Sequence, residues 1–347
     1  MLNQLLSARR LPPLCSREQM LDILQREEYG YLPPRPESMT WTVQPKYIRN
    51  FCAGKATVEK VTLTCMLRGG AVSFPCYCAI PTTPGKHPFF IHINFRPDVP
   101  DRYMPTEEII DNGFVVLSFC YEDVTSDDGN MTDGMAGILF PDGVRSDTDP
   151  GKIAMWAWAS HRVLDYAYTL SDRLDLDRAA VCGHSRLGKT ALLAAATDER
   201  FKFAYSNDSG CSGAAITRDK VGEHVSDIWR RFPFWFCKNY GKYAEREDEM
   251  PFDQHFLIAA IAPRYVLVGS ASNDSWADPD SELLACAAAS PAYEQLGLQG
   301  FVCEDRLPRI DDVYLEGRIG YHLREGLHYF SRTDWNRLCD FVELKSK

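Results

Sequence analysis

A serine able to act as a nucleophile stands at position 185, in the run Val181-Cys182-Gly183-His184-Ser185-Arg186-Leu187-Gly188-Lys189. Apolar residues lead into it (Ala179, Ala180, Val181), and an Ala/Leu-rich stretch, Thr190 to Thr197, leads out. That pattern predicts a strand, a sharp turn and a helix, the geometry that exposes a serine hydroxyl. The usual flanking pattern is G-x-S-x-G; here the second glycine comes one residue late, at Gly188, and Leu187 takes its place. A serine hydroxyl needs a base to take its proton and a third group to orient that base. The chain order serine, acid, histidine puts the base at His328, after the last strand-like run and before the last helical one. His87, His92, His161 and His184 precede Ser185; His224 and His255 lie in or beside an insertion, and His322 lies inside a strand-like run. Two acids remain open, Asp274 and Asp208, each at the end of a predicted strand. Either could hold the histidine tautomer and stabilise the imidazolium, and each also sits in a turn-forming Asn-Asp-Ser context.

The tetrahedral oxyanion of acyl transfer needs donors. One is the backbone N–H of Arg186; another is expected from the turn after His92-Ile93-Asn94-Phe95. The Arg186 side chain places a cation beside the nucleophile, where it can reach the oxyanion or an acidic substrate. The structural alternative is a helix-start arginine paired with a nearby aspartate. Lys189 lies one helical turn past Ser185, either at the same mouth or solvated. The histidines lack H-E-x-x-H spacing, so no metal and no other cofactor is expected.

The elements that must position these residues follow from periodicity. Ser16-x-x-Gln19 opens a helix over 16–30 with a capping box. Period-two runs at Val61–Leu67 and Val72–Ile80, broken by Arg68-Gly69-Gly70, predict a hairpin. The continuous apolar runs His87–Phe95 and Phe114–Tyr121 suit strands covered on both faces. Residues 122–152 read as a long surface loop and 153–172 as a helix. Strands are expected at Phe203–Ser206, Tyr265–Gly269 and Tyr314–Leu323, and helices at Phe252–Ile261, Asp280–Ala289 and Thr333–Leu344. Strands followed by alternating strand and helix predict an α/β protein, with a mostly parallel sheet that starts with antiparallel strands. We divide the chain as one domain, 1–347, with an N-terminal arm at 1–40 and an aromatic-rich insertion at 217–250.

The chain has 347 residues and a formal net charge of −10, which argues against nucleic acid as a partner. No run approaches the ~20 apolar residues of a membrane span. Twelve cysteines are scattered without a C-x-x-C pair, which points to buried free thiols in a reducing compartment. Without a visible leader the expected location is cytoplasmic, or secreted if a leader has been removed. Oligomeric state is not set by the sequence.

G-H-S-R-L-G-K at 183–189 resembles the G-C-S-R-x-G-K nucleophile motif of the glucuronoyl esterases, carbohydrate esterases of the α/β-hydrolase superfamily. The likeness continues with M-W-A-W at 155–158, D-E-R-F at 198–201, D-S-G-C-S-G at 208–213, F-P-F-W-F at 232–236, F-D-Q-H at 252–255, I-A-P-R at 261–264 and W-A-D-P at 276–279. The resemblance implies an α/β-hydrolase three-layer sandwich with helices on both faces. It implies Ser185 as nucleophile, Arg186 as oxyanion helper, Lys189 as a sugar-hydroxyl contact, His328 as base and Trp235 in a substrate wall. The family's glutamate position falls on Asp208, one methylene shorter, and some members use the later acid, here Asp274. The expected activity is hydrolysis of a plant-polysaccharide-derived carbohydrate ester through an acyl-enzyme, with uronic acid (glucuronoyl) esters first and acetylxylan or other acetyl-carbohydrate esters as the alternative. A different class of protein, a non-catalytic carbohydrate-binding relative, predicts an incomplete triad.

Overall fold

The apolar runs of the first half and the later strand–helix alternation meet in a single ten-stranded sheet. The computed structural model describes residues 1–99 and 101–346. The strands are β1 (Ser38–Phe51), β2 (Ala56–Leu67), β3 (Gly70–Pro81), β4 (His87–Asn94), β5 (Val115–Cys120), β6 (Leu174–His184), β7 (Phe203–Asn207), β8 (Tyr265–Ala271), β9 (Val313–Tyr314) and β10 (Ile319–Arg324). Their spatial order is β1-β2-β3-β5-β4-β6-β7-β8-β10-β9. From β5 to β10 every neighbouring pair is parallel. Antiparallel pairing joins β1, β2, β3 and β5 at one side and β9 at the other edge.

The expected hairpin is β2–β3, closed at Arg68-Gly69 with Leu67 opposite Gly70. Val61, Leu63, Cys65 and Leu67 point into the core, and the residues between them are not buried. The parallel strands are buried on both faces, as continuous apolar runs require. Successive side chains divide accordingly. Phe89, Ile91, Ala179 and Val181 join the large core beneath the helices Lys152–Tyr168 and Arg186–Thr197. Phe90, Ala180 and Cys182 join the second core beneath Thr106–Asp111 and Arg332–Lys345. Two expectations are corrected: residues 122–152 are not all surface loop, since Gly134–Leu139 is a helix that buries Met135 and Ala136, and Tyr314–Leu323 is not one strand. It breaks at residues 315–318, so that Tyr314 lies opposite Tyr321.

The N-terminal arm packs into the core through Leu2, Met20, Leu24 and Tyr29. Ser16 and Gln19 form the predicted capping box on Arg17–Leu24, a device that contributes about 1 kcal/mol. The chain then makes a turn over Gln25–Tyr29 that buries Glu28 and Tyr29. All twelve cysteines are free. Burial, followed by the charge of Asp253, raises the Glu28 carboxyl to about 8. A folded-state value above the unfolded one contributes stability in full below the unfolded value, and that contribution is lost as pH rises through about 8. Wild type should therefore lose more Tm between pH 6 and 9 than Glu28→Gln does, by thermal unfolding. Parallel Tm–pH curves would contradict the assignment.

Candidate active site

Ser185, Asp208, Asp274 and His328 all follow the carboxyl ends of adjacent parallel strands, β6, β7, β8 and β10, where open α/β sheets place their sites. Ser185 sits between β6 and the helix Arg186–Thr197 with φ 58° and ψ −127°. A non-glycine residue in that region stores strain, which is held only when the surroundings over-determine it. Here they do. Ser185 N donates to Asn207 O at 2.8 Å, and Gly188 N donates back to Ser185 O at 2.9 Å. A Cβ on Gly183 would lie 2.2 Å from Leu187 O, and one on Gly188 would lie 3.0 Å from Ser206 Oγ and 3.1 Å from Ser209 Cβ. The late glycine therefore marks where the nucleophile helix presses on the end of β7.

His328 is half exposed, with a side chain at 44%, and its Nδ1 lies 2.6 Å from Asp274 Oδ2. Asp274 is buried. Burial pushes its carboxyl up, but the hydrogen bond and charge of His328, with the Ala277 N–H, outweigh that and hold it below the ordinary carboxylate value. That leaves Nε2 of His328 free of the acid, as a base for Ser185 must be. Asp208 is buried too, but its partner is Arg324, whose Nη2 lies 3.3 Å from Oδ2. Burial first, then the charges of Glu282 and Asp334, push Asp208 well above the usual range. Asp208, Asp274 and His328 each offer a ligand atom within 4.8 Å of the others, a spacing a metal ion could use. The direct His328–Asp274 hydrogen bond and the Asp208–Arg324 pair already account for that cluster.

The sequence reading set His184 aside, yet its ring centroid lies 4.4 Å from that of His328. Its Nδ1 donates to Asn207 Oδ1 at 2.8 Å. Burial, and then the nearby His328, lower it to about 3, so it is neutral near pH 7. It packs against the His328 ring. The only sequence signal was its place beside Ser185. Beside His328 opens a cavity of about 300 Å³ lined by Asn94, Tyr103, His184, His328, Phe330 and Trp335.

Arg186 takes the structural alternative of a helix-start arginine paired with an aspartate. Its guanidinium pairs with Asp127 and lies over Trp235, 4.7 Å from the ring centroid. Asp127 also accepts from Trp235 Nε1 at 2.6 Å and from Tyr121 OH at 2.8 Å. Arg186 Nε is buried and has no partner among the described residues. Trp235 is 3% exposed and stacks flat on Phe232, with centroids 4.0 Å apart. It thus backs Arg186 and does not form an open wall. Lys189 is neither at the mouth nor solvated: it is 3% exposed. Its Nζ donates to Ser209 O at 2.6 Å and Cys211 O at 2.5 Å, and faces Glu223 at 3.8 Å. Its donors hold the buried loop 208–213, because one helical turn past Ser185 the helix has already rotated inward. An exposed aromatic near the acid in sequence is Trp276, two residues after Asp274 and 44% exposed.

Residues 63–297 match the family model described as fungal glucuronyl esterase; the match includes Ser185, Asp208 and Asp274 and stops short of His328. The chain is 39% identical over 242 residues to carbohydrate esterase MZ0003 from an unknown prokaryotic organism, an alignment covering 68% of this chain and 55% of that one. It is 26% identical over 296 residues to the 4-O-methyl-glucuronoyl methylesterase of Podospora anserina, covering 82% and 56%. The chain thus spans little more than half the length of these two curated relatives. Among solved structures, a glucuronoyl esterase from Solibacter usitatus is 31% identical with a TM-score of 0.85, covering 95% of this chain and 92% of that one. A CE15 glucuronoyl esterase from Teredinibacter turnerae is 29% identical with a TM-score of 0.84, covering 95% and 84%. The fold, the order of the strand-end residues and the extent of the match agree: the chain belongs to the glucuronyl esterase family.

Proposed function

We propose that the protein is a serine carboxylic-ester hydrolase that cleaves esters of uronic acids carried on plant-derived oligosaccharides. Ser185 attacks the ester carbonyl, and His328 takes its proton and returns it to the departing alcohol. Asp274 holds His328 in the tautomer that leaves Nε2 as the base. The Arg186 N–H stabilises the oxyanion. Water then repeats the cycle on the acyl-enzyme. The cavity beside His328 has room for the alcohol, and Trp276 offers an exposed face on which a sugar can stack.

The observation that carries the uronate reading is Arg186. A cation fixed by Asp127 and Trp235 beside the nucleophile, with its side chain still 26% exposed, suits an acyl group rich in oxygens. An acetyl group gives it nothing to recognise beyond the oxyanion. Arg186→Ala should therefore lower kcat/KM on methyl glucuronate by about 100-fold, and on acetylated xylose by clearly less. Equal losses on the two esters would remove the uronate preference; faster turnover of acetylated xylose by wild type would favour the acetyl-esterase reading. Lys189 enters as a positioning residue for loop 208–213.

The substrate in this reading is a carbohydrate ester. No helix among the described residues is long and apolar enough to cross a membrane. The matched relatives lend no support to a cytoplasmic location, and a secreted enzyme fits a polysaccharide-derived substrate.

A further inference from the structure

The bond between Asp274 and His328 leaves Asp208 without a direct partner in the base, although it lies close to both. Its Oδ1 has no hydrogen-bond partner, and its Oδ2 faces Arg324. Arg324 is the last residue of β10, four before His328, and is buried. Its Nε donates to Asp334 Oδ2 at 2.7 Å, in the first turn of the final helix. Its Nη1 reaches Glu325 O at 3.4 Å. Its Nη2 donates to Leu327 O at 3.2 Å and to Tyr329 O. Those last two carbonyls flank His328 on either side.

The chain wraps the guanidinium closely. Gly326 has φ +133°, and a Cβ there would lie 2.7 Å from Arg324 Nη1. The Tyr329 ring covers the other side, with the guanidinium carbon 4.5 Å from its centroid. The same loop is tied to the strand end that bears Asp274: Ser272 N donates to Arg324 O and Asn273 N to Gly326 O, each at 2.9 Å. A planar fork with five donors can satisfy two carboxylates and several carbonyls at once, which an ammonium cannot do.

We infer that Arg324 is the positioning residue for His328, and that Asp208 serves the reaction through Arg324, as an acceptor for its Nη2, and not by orienting His328. This rests on the reading of His328 as the base. The arrangement explains why two acids stand at neighbouring strand ends. One carries the hydrogen bond to the base, and the other fixes the cation around which the loop of the base is folded.

The test uses two readouts on the full chain: the rate at which a fluorophosphonate labels Ser185, which does not depend on the natural ester, and kcat and KM on methyl glucuronate. Arg324→Lys keeps the charge and loses the fork. It should slow labelling and lower kcat by about tenfold or more, with KM within about twofold, because the loss falls on the transition state. Asp208→Asn should slow labelling in the wild-type background and cost nothing further in the Arg324→Lys background, since residues acting through one another are not additive. Labelling of Arg324→Lys at the wild-type rate would overturn the inference. So would an equal loss from Asp208→Asn in both backgrounds, which means Asp208 acts directly. If the lysine variant does not fold, Arg324→Met combined with Asp208→Asn removes the guanidinium and the carboxyl together; it should label slowly, and wild-type labelling by it would overturn the inference. Fast labelling of wild type with no turnover of methyl glucuronate would defeat the uronate reading alone, and the labelling rates of the variants would still decide the role of Arg324.

Discussion

Ser185→Ala should lower kcat on the preferred ester by about 10⁶-fold, the scale seen when a triad nucleophile is removed, while the protein stays folded. The reason lies in the turn. Ser185 N–H is bonded to Asn207 O, and its carbonyl accepts from Gly188 N, so the backbone does not depend on the hydroxyl. Alanine inherits the φ of 58° and its strain. Glycine at the same position would not, because it lacks the Cβ that makes this region costly. Ser185→Gly should therefore be as inactive as the alanine variant and more stable, with a Tm raised by a few degrees. Stopped assays with each purified variant, together with thermal unfolding, read both effects. An alanine variant that kept even one hundredth of wild-type activity would move the nucleophile elsewhere.

Asp274→Asn should cost about 10⁴-fold in kcat, because an amide in place of the carboxylate leaves the histidine in the wrong tautomer. Asp208→Asn should cost far less, since Asp208 bonds Arg324 and not His328. The two variants therefore separate the two candidate acids by a wide margin. A larger loss from Asp208→Asn than from Asp274→Asn would transfer the orienting role to Asp208. Stability carries a second signature. The Asp274 carboxyl is held below its unfolded value, so its contribution is present above the unfolded value of about 4 and is lost as pH falls through the folded one. Asp274→Asn should flatten the acid side of the Tm–pH curve as well as remove activity.

Much of this protein is written locally in its chain. The Ser185 turn was legible because a strand, a sharp turn and a helix are contiguous there, and their close contacts force small residues at Gly183 and Gly188. The β2–β3 hairpin was legible for the same reason, with period-two runs meeting at a glycine pair. His328 followed from chain order, since a parallel sheet puts successive strand ends on one edge. The run Tyr314–Leu323 misled because two short strands with apolar residues on both sides of a turn look like one.

Side-chain direction was not legible. Lys189 has helical spacing from Ser185, yet the helix turns it under loop 208–213, where it is buried. Trp235 sits in an aromatic run, and only packing against Phe232 and Arg186 decides that it lies behind the cation. His184 acquires a role only because a loop 144 positions later sets His328 against it.

The sequence by itself placed the candidate nucleophile and base, Ser185 and His328, and the fold that joins them, because those rest on local geometry and on the order of strands. Which of the two acids bonds His328 was decided only by tertiary structure. Asp208 and Asp274 occupy equivalent ends of neighbouring strands, and nothing local distinguishes them. Backbone bonds from Ser272 and Asn273 to the loop after β10, and the guanidinium of Arg324 drawing Asp208 away, bring one carboxylate to His328 and assign the other to the arginine.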